Sequence, residues 1–286
     1  MLIKYLNKCF CKLSETLSPI IVGYVLIASL AISAQAQDLD VPYVPTPQPV
    51  VDQMLEIADV GEGDYVIDLG SGDGRIVISA VKRGAWGHGV DLNPKRIAEA
   101  RANAENEGVS DRVLFLEENI FDTDFNEATV ITMYLLNSVN RKLRPHLLEE
   151  LEPGTRIVSH SFDMGDWTPD DQYEVESGST GWTSTIYYWV IPAQAEGEWS
   201  WDVNGESFSM SVNQQYQEID INLSNGTESM KVSDPVLRGK RIGFIAENGT
   251  QRYIFSGSIE DDTIEGNAQI YEGNTAEVVA WQASRQ

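Results

Sequence analysis

The chain has 286 residues, 44 acidic against 20 basic, for a formal net charge of −24. That length holds one large or two modest domains, and the charge argues against nucleic acid as a partner, because phosphate contacts need clustered lysine or arginine. Both cysteines, Cys9 and Cys11, lie near the N-terminus, and His88, His146 and His160 lack zinc-motif spacing, so no metal site is expected.

Residues 1–36 stand apart. Lys4, Lys8 and Lys12 precede an apolar run from Ile20 to Ile32, and Ser33-Ala34-Gln35-Ala36 offers a small-x-small cleavage site before Gln37. That is the layout of a secretory signal peptide. The run falls short of the roughly 20 residues a spanning helix needs; an uncleaved anchor, and with it membrane association through this segment, is the alternative. The lysines before the run and Asp38 and Asp40 after it place the body outside the cytoplasm, periplasmic or secreted. Without the leader, 17 basic residues face 43 acidic ones, a net of −26. Such acidity suits a cationic substrate, or reflects solubility in a salty habitat.

Three prolines, Pro42, Pro45 and Pro47, keep the next segment extended. Thr46 reads as the N-cap of an amphipathic helix carrying Val50, Val51, Met54, Leu55 and Ile57. Strands and helices then alternate: strand 64–70, helix 74–83, strand 86–92, helix 94–107, strand 112–119, strand 128–136, helix 138–151, strand 155–162. A hairpin over 172–178 and 183–192 closes the series. The alternation predicts a doubly wound, Rossmann-like α/β sheet of about seven strands, in a domain spanning 37–193.

Within it, Val66-Ile-Asp-Leu-Gly-Ser-Gly-Asp-Gly74 runs from an apolar strand through Gly70, Gly72 and Gly74 into a helix. Glycines there let the backbone approach a small ligand, and the first helical N–H groups face it. A dinucleotide fingerprint wants G-x-G-x-x-G, but here the third glycine comes one residue early. Asp68 and Asp73 would repel a pyrophosphate and suit a ligand bearing an amino group and a sulfonium. The second strand ends in Asp91, a carboxylate able to accept both ribose hydroxyls, and Asn93-Pro94 opens the following helix as N-cap and first residue. The plain readings are a tight strand–helix turn and a helix-capping acid. The third strand ends at Asn119-Ile120, where Asn119 is otherwise an ordinary turn residue.

Beyond residue 193 the texture changes. Asn204-Gly205, Asn225-Gly226, Asn248-Gly249 and Glu272-Gly-Asn274 separate short alternating runs, the strongest local hairpin signal. About eight strands, near 198–203, 206–212, 215–223, 228–233, 241–247, 250–257, 263–270 and 276–282, predict a C-terminal antiparallel barrel or sandwich over 194–286. Trp199, Trp201 and Trp281 read as its core.

On Pro42-Tyr-Val-Pro-Thr-Pro47, Asp68-Leu-Gly-Ser-Gly-Asp-Gly-Arg-Ile-Val77, Gly89-Val-Asp-Leu-Asn-Pro94, Tyr134-Leu-Leu136, Leu143-Arg-Pro145 and Ser159-His-Ser-Phe162, the chain resembles class I S-adenosylmethionine-dependent methyltransferases. It is most similar to the bacterial relatives of the lysine methyltransferases of the ATP synthase c-ring and the adenine nucleotide translocator. The resemblance covers residues 41–167 and implies S-adenosyl-L-methionine as cofactor. It implies that Asp68, Gly70, Ser71, Gly72 and Asp73 cradle the methionine part, Asp91 the ribose, and Asn119 (through its side-chain oxygen) with Ile120 the adenine. Tyr43 and Thr46 would close over the cofactor. The fourth strand ends in Met133-Tyr-Leu-Leu136, not the Asn/Asp-Pro-Pro-Tyr tetrad of adenine and glutamine amino methylation. The implied acceptor is a lysine-bearing protein or another cationic substrate, with Tyr134 lining its channel and His160, Asp163 and Trp167 as the far wall; Tyr134 and His160 are the catalytic candidates. The alternatives are an exported module that binds an adenosyl or other small ligand without turnover, its β-domain recognising a partner, and an envelope assembly protein whose loop is a relic.

Overall fold

A computed structural model describes residues 43–286 apart from 178–180, 227 and 274; the leader assigned to residues 1–36 lies outside them. Helix α1 (Gln48–Ile57) is followed by β1 (Tyr65–Leu69), α2 (Arg75–Lys82), β2 (Trp86–Asp91), α3 (Pro94–Asn106), β3 (Val113–Glu117), β4 (Val130–Met133), α4 (Asn137–Glu150), β5 (Arg156–His160), β6 (Asp171–Glu176) and β7 (Thr183–Val190). These seven strands form one sheet in the order β3-β2-β1-β4-β5-β7-β6. All pairs are parallel except those of β7, which runs antiparallel to both β5 and β6.

Alternation along the central strands assigns side chains to the two faces. Val66, Val130 and Val158 pack under α1 and α2 with Val50, Met54, Leu55 and Ile76. Ile67, Ile131 and Ile157 face the other way, against Leu143 and Leu147 of α4. Both faces are covered, which is why β1, β4 and β5 are nearly all apolar. The exceptions, Asp68, Thr132, Ser159 and His160, are buried at the C-terminal ends of these strands.

Parallel strands need crossover connections, usually helical. Two crossovers here lack a helix: 118–129 between β3 and β4, and 161–170 between β5 and β6. The second carries only an isolated bridge between Met164 and Trp167.

The remaining strands are β8 (Gly197–Val203), β9 (Glu206–Gln215), β10 (Glu218–Asn225), β11 (Glu228–Arg238), β12 (Arg241–Glu247), β13 (Gln251–Glu260), β14 (Thr263–Glu272) and β15 (Thr275–Arg285). They close into an antiparallel barrel, β10-β11-β12-β13-β14-β15-β8-β9. Its interior is aromatic: Trp201 stacks on Phe208 at 5.3 Å and meets Trp281 at 5.0 Å. Trp199, Trp201 and Trp281 are all buried, as core residues. Asn204 and Gly205 both take positive φ, 51° and 83°, the backbone of a tight two-residue hairpin. Among the described residues no helix is long and apolar enough to cross a membrane.

Candidate active site

The site lies at the C-terminal ends of β1, β2, β4 and β5, where open α/β sheets bind ligands. The β1–α2 turn is left-handed at Gly70, Gly72 and Gly74, with φ of 78°, 53° and 80°. The Gly70 and Ser71 N–H groups both donate to the Val90 carbonyl at 2.9 Å, fastening the turn to β2. A Cβ on Gly74 would fall 2.5 Å from the Phe115 ring and 2.9 Å from the Ala100 Cβ, so this glycine serves packing. A Cβ on Gly72 would fall 2.4 Å from the ring of Tyr43. Tyr43 therefore covers the loop, in agreement with its expected place, and the Arg96 guanidinium lies 4.2 Å from its ring centre. Ser71 is buried against Gly89, and its hydroxyl has no partner among the described residues.

The three acids behave differently from one another. Asp91 accepts the Gly72 N–H at one oxygen (3.0 Å) and the Asn93 N–H at the other (2.8 Å). Each oxygen keeps a second lone pair, so the carboxylate can also accept two ribose hydroxyls. Asp68 is 2% exposed and takes a 2.8 Å hydrogen bond from its in-register neighbour Thr132. Burial pushes its carboxyl up to about 7, and the negative charges of Asp91 and Asp73 add to the rise, against the Thr132 bond. Such a group calls for a cationic neighbour.

Asp73 is engaged elsewhere, which corrects its assignment as a free methionine ligand. Arg75 forks onto it, Nε to Oδ1 at 2.9 Å and Nη2 to Oδ2 at 2.5 Å, and donates through Nη1 to the Thr46 carbonyl at 2.9 Å. Burial raises and this guanidinium lowers the Asp73 carboxyl, leaving it below the usual carboxylate range. The cluster ties the N-terminal segment to the glycine turn.

Thr46 is likewise corrected. It is not the N-cap, since Pro47 holds that position without a side-chain bond. It is 3% exposed, and its hydroxyl hydrogen-bonds His160 Nδ1 at 3.2 Å, so it supports the site from beneath the segment. Asn119 also differs from expectation. Its side-chain oxygen accepts the Phe121 N–H at 3.2 Å, closing its own turn, which leaves only its amide NH₂ to meet a purine ring nitrogen. Ile120 is half-buried and packs on the core beside it.

The structure brings together the two catalytic candidates. Tyr134, just past β4, and His160, the last residue of β5, have ring centres 3.9 Å apart. Burial holds His160 down at about 4, so the ring is neutral at physiological pH. Ser161 takes a left-handed φ of 63°, unusual outside glycine, and the Phe162 N–H returns to the His160 carbonyl at 2.9 Å. That tight reversal stacks Phe162 on Tyr134 at 5.8 Å. Asp163 follows, held by Asn137 at 2.6 Å. Trp167, expected in the same wall, is fully buried between Trp189 and Tyr216 and takes no part in it.

Sequence reasoning did not pick out Thr132, Arg75, Phe162 or Asn140. The last is fully buried in α4 and donates to the Phe162 and Asp163 carbonyls at 3.0 and 3.2 Å. An asparagine on the apolar stripe of Val139, Leu143 and Leu147 was the available signal. Thr132 could be found only once the β1–β4 register was known.

The residues present fit an adenosyl sulfonium cofactor on three counts: a glycine turn with no room for side chains, a ribose-type carboxylate, and a buried acid lacking a cation. The ANTKMT methyltransferase domain model matches residues 68–171. A protein-lysine N-methyltransferase of Saccharolobus islandicus is 50% identical over 153 residues, covering 53% of this chain and 94% of that protein. An ATP synthase lysine N-methyltransferase of Xenopus laevis is 30% identical over 168 residues, 57% of this chain and 74% of that one. Among solved structures, an RNA methyltransferase from Salinibacter ruber in complex with S-adenosyl-L-homocysteine is 54% identical, with a TM-score of 0.50, covering 53% of this chain and 95% of that chain.

Proposed function

The chain belongs to the ANTKMT family of S-adenosyl-L-methionine-dependent methyltransferases, and from that footing we propose that it methylates the ε-amine of a lysine in a protein. The observation that carries this reading is the ring-walled passage of Tyr134, His160 and Phe162 at the ends of β4 and β5. It holds no charged side chain of its own to pair with a lysine ammonium. A lysine entering it loses hydration, which favours its neutral form and frees the lone pair.

When bound, S-adenosyl-L-methionine supplies an electrophilic methyl on a sulfonium. Asp91 would hold the ribose, the Gly70–Gly72 turn the methionine part, and Asp68 the charge of its ammonium. Tyr134 and Phe162 would orient the amine, so that its lone pair forms the new N–C bond as the methyl–sulfur bond breaks and that electron pair stays on sulfur. The proton of the resulting ammonium leaves to water. Positioning and exclusion of water supply the rate. Neutral His160, fixed by Thr46, keeps the wall uncharged.

An RNA acceptor, as in the Salinibacter ruber protein, needs a cationic surface to meet phosphates; a net charge of −24 opposes it. The same acidity attracts a lysine-bearing partner. The proposal extends to location: Lys4, Lys8, Lys12 and the Ile20–Ile32 run support export through a signal peptide or anchor, with the body outside the cytoplasm.

The test is titration of the protein with S-adenosyl-L-methionine, followed by transfer of labelled methyl to a lysine-bearing protein extract and mapping of the label. Methyl-lysine is the expected product. Binding without transfer would favour the non-catalytic module instead, and label on RNA would overturn the acceptor class.

A further inference from the structure

The β5–β6 crossover, residues 161–170, runs without a helix, yet its first residues form the passage wall. What packs against its lower half is the barrel. Gln217, in the β9–β10 turn, accepts the Trp167 indole N–H at 2.7 Å and donates to the Thr168 carbonyl at 2.6 Å. Its neighbour Tyr216 stacks on Trp167 at 5.7 Å and donates its hydroxyl to Asp166 at 3.1 Å. Arg144 of α4 joins the same knot, donating to Asp166 at 2.5 Å and to the Met164 carbonyl at 2.7 Å. From there the crossover passes to Asp163 and Phe162, held by Asn137 and Asn140. Tyr216 adopts a left-handed φ of 57° to present both side chains, a conformation a tyrosine rarely takes.

We propose that Tyr216 and Gln217 of the barrel are positioning residues for methyl transfer: they stand where a crossover helix would pack, and fix the loop that carries Phe162 against Tyr134. The inference rests on the reading of Tyr134 and Phe162 as the acceptor passage. The Saccharolobus islandicus relative is aligned over 94% of its length to about half of this chain. It has no length left for a barrel of this size, so the buttress belongs to this chain's own architecture. Loop placement within about 1 Å matters, since misplacement on that scale costs on the order of 100-fold in rate.

The experiment uses the full chain carrying Tyr216→Phe with Gln217→Ala, and separately Gln217→Glu, which keeps the acceptor for Trp167. Amide hydrogen exchange should rise across 161–168 in the double variant while the 66–74 segment stays protected. Its kcat for methyl transfer to the protein extract should fall at least tenfold, with the KM for S-adenosyl-L-methionine unchanged; Gln217→Glu should recover part of the rate. Unchanged exchange across 161–168 overturns the proposal. So does exchange that rises while kcat holds, provided Tyr134→Ala abolishes turnover. If Tyr134→Ala leaves turnover intact, the passage itself has been misassigned. A wild-type protein that transfers no methyl sinks the functional reading, and the exchange data still decide whether the barrel holds the loop.

Discussion

The Thr46 hydroxyl lies 3.2 Å from Nδ1 of His160, 114 residues away along the chain. This contact joins the entry to α1 to the end of β5, and gives a buried imidazole its partner. Thr46→Val keeps the shape and deletes the bond, leaving Nδ1 unpartnered. The expected loss is about 1–3 kcal/mol in denaturant unfolding; an unchanged midpoint and slope would show that the contact contributes nothing.

His160 also sets a pH dependence. The unfolded chain takes up a proton near 6.5, whereas the folded ring resists until about 4. Its contribution to stability is therefore complete above pH 6.5 and is lost as pH falls through 4. Melting curves of wild type and His160→Gln, compared from pH 7 to 4, should differ by an amount that shrinks on acidification. Parallel profiles would refute the assignment.

Asp68 works in the opposite sense. The folded protein holds its proton up to about 7, while the unfolded chain releases it near 3.8. Its contribution therefore lowers stability as pH rises across that window. A cofactor ammonium beside it favours the carboxylate, so binding at pH 6.5 should release a proton. Titration calorimetry in buffers of different ionisation enthalpy reads that release, and Asp68→Asn should remove it. Identical proton release in the variant would place the ammonium elsewhere.

Asp91→Ala should weaken S-adenosyl-L-methionine binding about 100-fold or more. Two charge-assisted hydrogen bonds to the ribose are lost, each worth about 1.5–3 kcal/mol, and the Gly72 and Asn93 N–H groups lose their acceptor. Asp91→Asn retains one oxygen and should fall between. Calorimetric affinity checks both; equal affinity in all three proteins would remove Asp91 from the site.

Two glycines of one turn should fail differently. At Gly74 an added methyl meets the Phe115 ring and Ala100, neither free to move, so Gly74→Ala should lower the melting temperature. At Gly72 it meets only the half-exposed Tyr43. Gly72→Ala should melt closer to wild type, with its defect in cofactor affinity. The reverse pattern in melting and titration would mean that Gly74, not Gly72, borders the ligand.

The sheet and barrel were legible because they rest on local signals: apolar runs, glycine turns and Asn-Gly hairpins. Failures came where a side chain answered to a distant partner. The fourth strand, read as 128–136, stops at Met133 because Tyr134 leaves the sheet for His160. Thr46 looked like a cap and instead serves His160. Trp167 followed the fifth strand as a wall residue would, but with no crossover helix it fills the core. The β9–β10 turn was missed because Gln215-Tyr216-Gln217 contains no glycine or asparagine to announce it. At the site, Asp91 and the glycines were legible from spacing, whereas Asp73 was claimed by an arginine two residues away.

A ring of eight paired strands leaves no backbone donors or acceptors unclaimed along a rim. Whatever meets the barrel cannot do so by lending it a strand. Recognition there must be written in side chains and turn tips, so the barrel's specificity can drift by point substitution while its hydrogen-bonded frame stays the same.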